Sequence, residues 1–175
     1  QMLHQAAEQS DVVMTLGGVS VGDYDYLRQA VAQVGTIHHY KVAMKPGKPF
    51  VFGQLGSAWY FCLPGNPVSG YVGFDVFIRA ALWQIAGATP IPQPLRFQAA
   101  LTRNVKKAAG RTDIQRAIIS QNSDGTWQAT PTGKQDSHRI LGVSQANAYM
   151  ILPQERGDLA AGEMVTVQPL HEAFL

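Results

Sequence analysis

Apolar and polar positions over the first 89 residues follow two periods, one typical of strands and one typical of helices. Short apolar runs that end at turn residues predict buried strands, and apolar residues spaced three or four apart predict helices. The predicted strands cover 12–15, 37–43, 50–53 and 59–63, and the predicted helices cover 3–9, 23–34 and 67–85. This order predicts an α/β layer fold with a largely parallel sheet, in which 50–53 and 59–63 form a hairpin.

The pattern changes after residue 94. Short segments rich in β-forming residues recur without a convincing helical stretch between them, at 95–101, 114–119, 126–130, 148–152 and 164–167. Ser123-Asp124-Gly125 separates two of these segments and is typical of a hairpin turn. The second half is therefore predicted to be a small all-β domain, a barrel or a sandwich.

Prolines at positions 90, 92 and 94 separate the two patterns. Proline fixes φ and lacks an amide hydrogen, so this stretch is expected to be extended and to lie outside any central strand. The predicted division is an α/β domain at 1–89, a linker at 90–94 and an all-β domain at 95–175. The first domain has fewer strands than a doubly wound sheet usually needs, so we expect the chain to be a fragment of a longer protein.

Composition narrows the class of protein. The chain has 175 residues, 46% of them hydrophobic, with one cysteine and a net charge of +2. These values exclude a disordered chain and a disulfide scaffold, and the charge is too small to indicate nucleic acid as a partner. No apolar run reaches the ~18 residues of a membrane span, and no signal-peptide pattern opens the chain, so a cytoplasmic location is expected.

Basic residues concentrate in one stretch. Six lysines and arginines lie within 96–116, where Asp113 is the one acidic residue. Such a cluster fits a small anionic ligand, although a solvated basic face is the commoner explanation for it.

Three polar loops follow predicted strands, at the edge where open α/β sheets bind ligands. The first loop contains Gly17, Gly18, Ser20 and Gly22, and glycines there allow a phosphate to approach backbone amides. A tight turn explains the glycines equally well. Asp25 follows in the predicted helix and is the better candidate for a Mg²⁺ ligand, because helix capping readily accounts for Asp23.

The second loop is Lys45-Pro46-Gly47-Lys48-Pro49, which Lys41 precedes. Prolines on either side of two lysines make a stiff pair of cations. Ordering a lysine side chain costs ~1.5–2 kcal/mol, and an anionic ligand accounts for that cost.

The third loop contains Pro64, Gly65, Asn66 and Ser69 and leads from a strand into a helix. Asn66 is a good N-cap, and Pro67 suits the first helical position. Capping alone leaves Pro64, Gly65 and Ser69 unexplained, so a ligand at the helix N-terminus is predicted.

Other candidates for chemistry are weaker. Cys62 lies in an apolar run, which predicts a core residue rather than a nucleophile. The five histidines have no metal-ligand spacing with one another or with Cys62, so a zinc site is not expected.

Taken together, the three loops resemble the MoeA family of molybdopterin molybdenumtransferases, which includes the E domain of gephyrin. The stretches 110–116 and 132–138 continue the resemblance, so it covers nearly the whole chain. It implies a truncated α/β/α layer domain of the MoaB/MogA type, followed by a small all-β barrel-like domain. It also implies the last step of molybdenum cofactor synthesis, in which molybdenum from molybdate enters adenylylated molybdopterin and AMP is released.

The resemblance also implies roles for individual residues. Asp25, Lys41 and Lys45 would be catalytic, with Asp25 holding a divalent cation such as Mg²⁺. Substrate would bind at the first and third loops, through Gly17, Gly18, Ser20, Gly22, Pro64, Gly65, Asn66 and Ser69. Molybdate would bind to Lys45, Lys48, Pro49, Ser69, Arg116 and Ser137.

The family pattern sets further expectations about partners. The family forms homodimers, so the resemblance implies that the longer protein is a homodimer. Its expected partners are small-molecule substrates, and a molybdopterin adenylyltransferase is a further candidate. Lys134 departs from the pattern, since members often have histidine there. Two alternatives stay open, a gephyrin-like scaffold that binds a partner peptide and a domain of the adenylyltransferase type. Asp25 and the loop lysines favour catalysis, and the all-β half disfavours the adenylyltransferase.

Overall fold

The computed structural model describes residues 1–19, 23–133, 135 and 144–170. The chain divides into two compact units, of which the first contains Gln1–Val42 and Gly47–Ala86, and the second contains Ala43–Pro46 and Gly87–Leu175. This differs from the linear division at 1–89, 90–94 and 95–175. Residues 43–46 belong to the second unit because they pair with one of its strands. The first unit is therefore discontinuous in sequence, which a single boundary along the chain cannot describe.

The first unit is built from helices on a four-stranded sheet. Its strands are β1 (Val12–Leu16), β2 (Gly35–Tyr40), β4 (Val51–Leu55) and β5 (Ala58–Leu63), and its helices are α1 (Met2–Glu8), α2 (Asp23–Ala32), α3 (Pro67–Gly73) and α4 (Arg79–Ile85). A π-helical stretch, Phe74–Ile78, joins α3 to α4. The predicted strands and helices are thus present, with ends that shift by a few residues.

The sheet has the strand order β1-β5-β4-β2, and among these strands only β1 and β5 run parallel. β5 pairs antiparallel with β4, as the predicted hairpin requires, and β4 pairs antiparallel with β2. The prediction of a largely parallel sheet was therefore wrong. Parallel neighbours need a crossover of about a dozen residues, and the turn between β4 and β5 is too short to provide one.

Both faces of this sheet are covered. Buried side chains of β1, β4 and β5 form one apolar cluster with residues of α1 and α2, centred on Val13, Leu55 and Tyr60. The opposite face packs on the long helix, which is the continuous segment 67–85 formed by α3, the π-helical stretch and α4. The contact is made by a second cluster that includes Phe61, Leu63 and Ile78. The result is an α/β/α layer arrangement, which confirms the predicted fold class.

The second unit is a closed barrel of short strands. It comprises β3 (Met44–Lys45), β6 (Phe97–Leu101), β7 (Thr112–Gln121), β8 (Trp127–Pro131), β9 (Ala148–Leu152) and β10 (Met164–Pro169). The order β3-β7-β8-β6-β10-β9 closes on itself because β7 also pairs with β9, so five strands form the barrel and β3 adds to β7. Alanine, valine, leucine and methionine side chains fill its interior. The barrel confirms the all-β prediction for this half.

The hairpin predicted around Asp124 joins β7 to β8. The two strands pair antiparallel, and the carboxylate of Asp124 accepts a hydrogen bond from the amide of Thr126 at 2.9 Å. Gly125 has a φ of +86°, which glycine adopts without strain. Local turn chemistry therefore sets this connection.

Candidate functional site

Two glycines meet where the parallel strands β1 and β5 end. The amide of Gly17 donates to the carbonyl of Leu63 at 2.9 Å, which extends the pairing by one residue past β1. A methyl group on Gly65 would lie 3.4 Å from the Cα of Gly17. Gly17 and Gly18 have φ values of +87° and +72°, a region that favours glycine. The first and third predicted loops therefore contact each other through bare backbone.

The third loop runs directly into the long helix. The side chain of Asn66 accepts a hydrogen bond from the amide of Val68 at 3.2 Å, and Pro67 occupies the first helical turn, as predicted. Ser69 is buried in the same turn. Amide groups of a first helical turn lack partners within the helix and attract anions, and these amides lie beside the glycine contact.

A small polar cluster lies next to the turn at Gly17–Val19, called the glycine turn below. The hydroxyl groups of Thr15 and Tyr60 are 2.8 Å apart, and the thiol of Cys62 donates to the carbonyl of Gly17 at 3.0 Å. Burial raises the pKa of Cys62 and also that of Tyr60. Cys62 is fully buried and stays a thiol at neutral pH, so the prediction of a core residue rather than a nucleophile is confirmed.

Lys41 has an unusual backbone for a lysine. Its φ is +76°, the one positive value among the non-glycine residues that the structure describes. Its amide donates to the carbonyl of Phe50 at 3.1 Å, which holds the conformation in place. The ammonium lies 4.7 Å from the centre of the Tyr40 ring, and the Tyr40 hydroxyl donates to the carbonyl of Val19 at 3.3 Å. Sequence reasoning missed Tyr40, although it precedes Lys41 directly.

Lys45 belongs to the second unit and is held by charge. It lies opposite Asp113 in the register of β3 and β7, with its Nζ 3.7 Å from a carboxylate oxygen of Asp113. Asp113 is buried, and the Gln115 amide donates to the same oxygen at 3.1 Å. Sequence reasoning assigned no role to Asp113 or Gln115. Two polar residues at alternate positions of a strand that packs into a barrel are the feature that could have found them.

Arg116 follows on β7 and is buried as well. Its backbone amide donates to the side chain of Gln135, and its carbonyl accepts hydrogen bonds from Gln135 and Thr132. Side chains alternate along a strand, so Arg116 lies on the opposite face of β7 from Asp113. Gln135 therefore ties the loop after β8 to the backbone of β7.

The remaining predicted residues are distributed as follows. Lys48 and Pro49 lie in the first unit before β4, with Lys48 exposed and Pro49 half-buried. Asp25 lies in the first turn of α2. Ser20, Gly22 and Ser137 lie outside the described residues, as does Lys134. The molybdate set thus draws Lys48, Pro49 and Ser69 from the first unit and Lys45 and Arg116 from the second, and it stays a prediction.

The metal prediction rests on Asp25 alone. Among the side chains that the structure describes, which exclude that of Asp25, no three His, Cys, Asp or Glu come together as a metal site would require. One or two carboxylates with substrate phosphates are enough to hold Mg²⁺, so the Asp25 assignment stays a prediction, and we derive no reaction step through a metal. The same part of the chain has no helix long and apolar enough to cross a bilayer.

The structure therefore has an α/β unit that presents glycine turns and a helix N-terminus at the ends of parallel strands, and a β-barrel unit with a buried, partly ionic cluster. Open α/β sheets commonly bind their ligands at this edge, and the fold defines the class of two-domain proteins that combine an α/β layer unit with a β-barrel unit. Residues 1–84 match the family described as "Probable molybdopterin binding domain", and residues 98–170 match the "MoeA C-terminal region (domain IV)". The chain belongs to the MoeA family.

Similar proteins agree with this assignment. A molybdopterin molybdenumtransferase of Haemophilus influenzae is 41% identical over 166 residues, which cover 95% of this chain and 41% of that protein. The Bacillus subtilis protein of the same name is 32% identical over 171 residues, covering 96% of this chain and 39% of its own length. Gephyrin of Dictyostelium discoideum is 31% identical over 186 residues, covering 93% and 26%. The chain spans about two fifths of the molybdenumtransferases that it matches.

Solved structures show the same fold. A molybdopterin biosynthesis MoeA protein of Pyrococcus horikoshii superposes with a TM-score of 0.77 at 22% identity, over 97% of this chain and 40% of that one. A molybdenum cofactor biosynthesis protein of Pyrococcus furiosus gives a TM-score of 0.69 at 24% identity, over 95% and 52%.

Proposed function

We propose that the protein to which this chain belongs is a molybdopterin molybdenumtransferase that acts in molybdenum cofactor biosynthesis. It inserts molybdenum from molybdate into adenylylated molybdopterin and releases AMP. The backbone contact between Gly17 and Gly65, beside the start of the long helix, carries the proposal. Relatives that carry this region bear the name molybdopterin molybdenumtransferase.

The geometry of the first unit supports an anionic substrate. Gly17, Gly18 and Gly65 have no side chains that would keep a phosphate away from the backbone, and the first turn of α3 adds amide donors and the positive end of the helix dipole. The ammonium of Lys41 adds a positive charge in the same unit. Pairing charged donors with an oxyanion gives hydrogen bonds about twice as strong as neutral ones. The role of these groups is therefore to bind and orient the phosphate groups of the substrate.

The second unit supports a role for Lys45 and Arg116. Lysine and arginine suit a tetrahedral dianion such as molybdate, because both donate charged hydrogen bonds. Asp113 is buried, and its carboxylate lies 3.7 Å from the ammonium of Lys45, which favours one placement of this half-exposed side chain. A lysine that is ordered before the substrate arrives loses less side-chain entropy when it binds.

A gephyrin-like scaffold is the second candidate, because Dictyostelium gephyrin is similar along nearly the whole chain. A scaffold that only binds a peptide has no need for Lys41 in a strained conformation or for Lys45 on a buried carboxylate. Strained residues persist mainly at functional sites, so these two lysines favour catalysis over the scaffold. The barrel disfavours the adenylyltransferase alternative.

The test is molybdate-dependent release of AMP from adenylylated molybdopterin, using a protein extended upstream of residue 1. We expect release by the extended protein and none by its Asp25→Ala variant. The 175-residue chain alone is expected to bind molybdate or nucleotide weakly and to show no turnover, because the upstream region and a homodimer complete the site. Robust turnover by the chain alone, or full activity of the Asp25→Ala variant, would contradict these assignments.

A further inference from the structure

Tyr40 contacts two parts of the site at once. It is the last residue of β2 and is half-buried, with its ring packed against the apolar cluster of the first unit. The ring face lies 4.7 Å from the Lys41 ammonium, within the ~6 Å over which an aromatic ring attracts a cation. The hydroxyl donates to the carbonyl of Val19, the last residue of the glycine turn, at 3.3 Å.

The backbone around Tyr40 is shaped to make these contacts. The pairing of β2 with β4 shifts register between Ile37 and His39, and such bulges re-aim the side chains that follow. Lys41 then takes its left-handed conformation, which two backbone hydrogen bonds hold in place. The amide of Lys41 donates to the carbonyl of Phe50, and the amide of Val42 donates to the carbonyl of Lys48 at 2.9 Å. A left-handed residue other than glycine is costly, so surrounding contacts must determine it.

A purely structural aromatic residue would need neither contact. Phenylalanine would fill the same apolar cluster without a hydroxyl, and the strand could end without placing a cation on the ring. The hydroxyl and the ring instead link the two groups that an anionic ligand would meet, the glycine turn and the lysine. Val19 is itself buried, so the hydroxyl contacts a fixed part of the turn.

We propose that Tyr40 is a positioning residue, which fixes the ammonium of Lys41 relative to the turn at Gly17–Val19 so that both bind one tetrahedral oxyanion. The inference rests on the proposed function in that the ligand is an anion of the phosphate or molybdate type. Tyr40 does not touch the ligand. It acts through Lys41 and through the backbone of the turn.

The first test needs no ligand. Protons above an aromatic ring resonate upfield, so the ε-methylene protons of Lys41 should be shifted upfield of those of Lys48, an exposed lysine that serves as internal reference. Tyr40→Phe should keep the shift and Tyr40→Leu should abolish it. Tyr60→Phe is the matched control, because it removes another hydroxyl of the same sheet and should leave the Lys41 protons unchanged. Lys41 protons that coincide with those of Lys48 in the unaltered chain would overturn the proposal.

The second test uses inorganic phosphate as the probe, followed through the amide resonances of Gly17 and Gly18. Losing the hydroxyl in Tyr40→Phe should weaken binding about fivefold, and losing the ring as well in Tyr40→Leu should weaken it about tenfold or more. Tyr60→Phe should bind as the unaltered chain does. Equal affinity in all four chains would overturn the proposal.

The two tests separate this inference from the proposed function. If the ring shift behaves as expected while no chain binds phosphate, AMP or molybdate, the placement of Lys41 by Tyr40 is supported and the proposed substrate class fails. If phosphate binds and the Tyr40 variants bind equally well, the substrate class stands and the positioning role fails.

Discussion

Lys41 and Lys45 are four residues apart in the sequence, yet they are held by different kinds of contact. Lys41 is placed by its backbone, in a left-handed conformation with its ammonium over an aromatic ring. Lys45 lies on ordinary strand backbone and is placed by a buried carboxylate. The first unit thus builds its polar region from backbone geometry, and the second builds its own from paired charges. The two regions should respond differently to the same kind of substitution.

The largest expected effect concerns the glycine turn. Gly17→Ala places a methyl group on a residue with positive φ, which costs about 1–2 kcal/mol of unfolding free energy. The same change should remove phosphate binding, because the methyl group would lie 4.0 Å from the Cα of Gly65 and cover the backbone that the anion is expected to approach. Denaturant unfolding and phosphate titration measure the two effects.

Gly56→Ala is the matched control for that change. Gly56 also has a positive φ, and an added methyl group would have no atom within 4 Å. We expect a similar loss of stability with phosphate binding intact. If both variants lose phosphate binding, general destabilisation explains the result, and the prediction that phosphate binds at the backbone around Gly17 is wrong.

The next effect tests the charge-based region. Lys45→Gln leaves the buried carboxylate of Asp113 with the Gln115 amide, and should lower the unfolding free energy by about 1 kcal/mol, since half of the Lys45 side chain is exposed and solvent screens the pair.

Lys106→Gln is the comparison, because the pair of Lys106 with Asp158 is exposed on both sides. It should leave stability unchanged within error. Equal effects of the two substitutions would mean that the burial of Asp113 has no influence on how Lys45 is held.

A smaller effect is expected at Lys41. Lys41→Gly and Lys41→Ala both remove the ammonium, but only glycine relieves the left-handed backbone. The glycine variant should be more stable than the alanine variant by about 0.5–1 kcal/mol after the entropy of its unfolded chain is subtracted. Neither should bind phosphate as the unaltered chain does. A less stable glycine variant would show that Lys41 is not strained.

The smallest expected effect is the pH dependence of stability that Cys62 gives to the first unit. Burial raises the pKa of Cys62 in the folded chain above its ordinary value of 9.0, so the unfolded chain loses the proton first as the pH rises. Stability is therefore complete below that ordinary value and declines above it, by at most ~0.8 kcal/mol near pH 9.5.

Cys62→Ser should remove this part of the alkaline decline, because serine donates to Gly17 without titrating. Tyr60 also has a raised pKa and contributes only at higher pH. An unchanged alkaline profile in the Cys62→Ser variant would show that the thiol does not couple to folding.

The sequence predicted the parts that local chemistry controls. The cap at Asn66, the hairpin at Asp124 and the apolar periods of the strands follow from neighbouring residues, and the structure contains all three. The direction of the strands was harder to predict, because it depends on which strands become neighbours in the sheet. The β2–β4 and β4–β5 pairings are antiparallel, whereas a largely parallel sheet was predicted.

The contacts that place the two lysines could not be predicted. Asp113 lies 68 positions after Lys45, and only the exchange of residues 43–46 into the barrel brings them together. From the sequence, Tyr40 is indistinguishable from an ordinary strand residue, because no local sequence pattern predicts the bulge that precedes it. The loops were found through residue types, whereas their supports depend on tertiary pairing.

The most direct measurement of the central claim is molybdate-dependent release of AMP by the upstream-extended protein, compared between Gly17→Ala and Gly56→Ala. Both variants carry a methyl group at a positive φ in the first unit, and only Gly17 borders the contact with Gly65. The account predicts that AMP release is lost in Gly17→Ala and retained in Gly56→Ala. Retained release in Gly17→Ala, or equal loss in both, would contradict it.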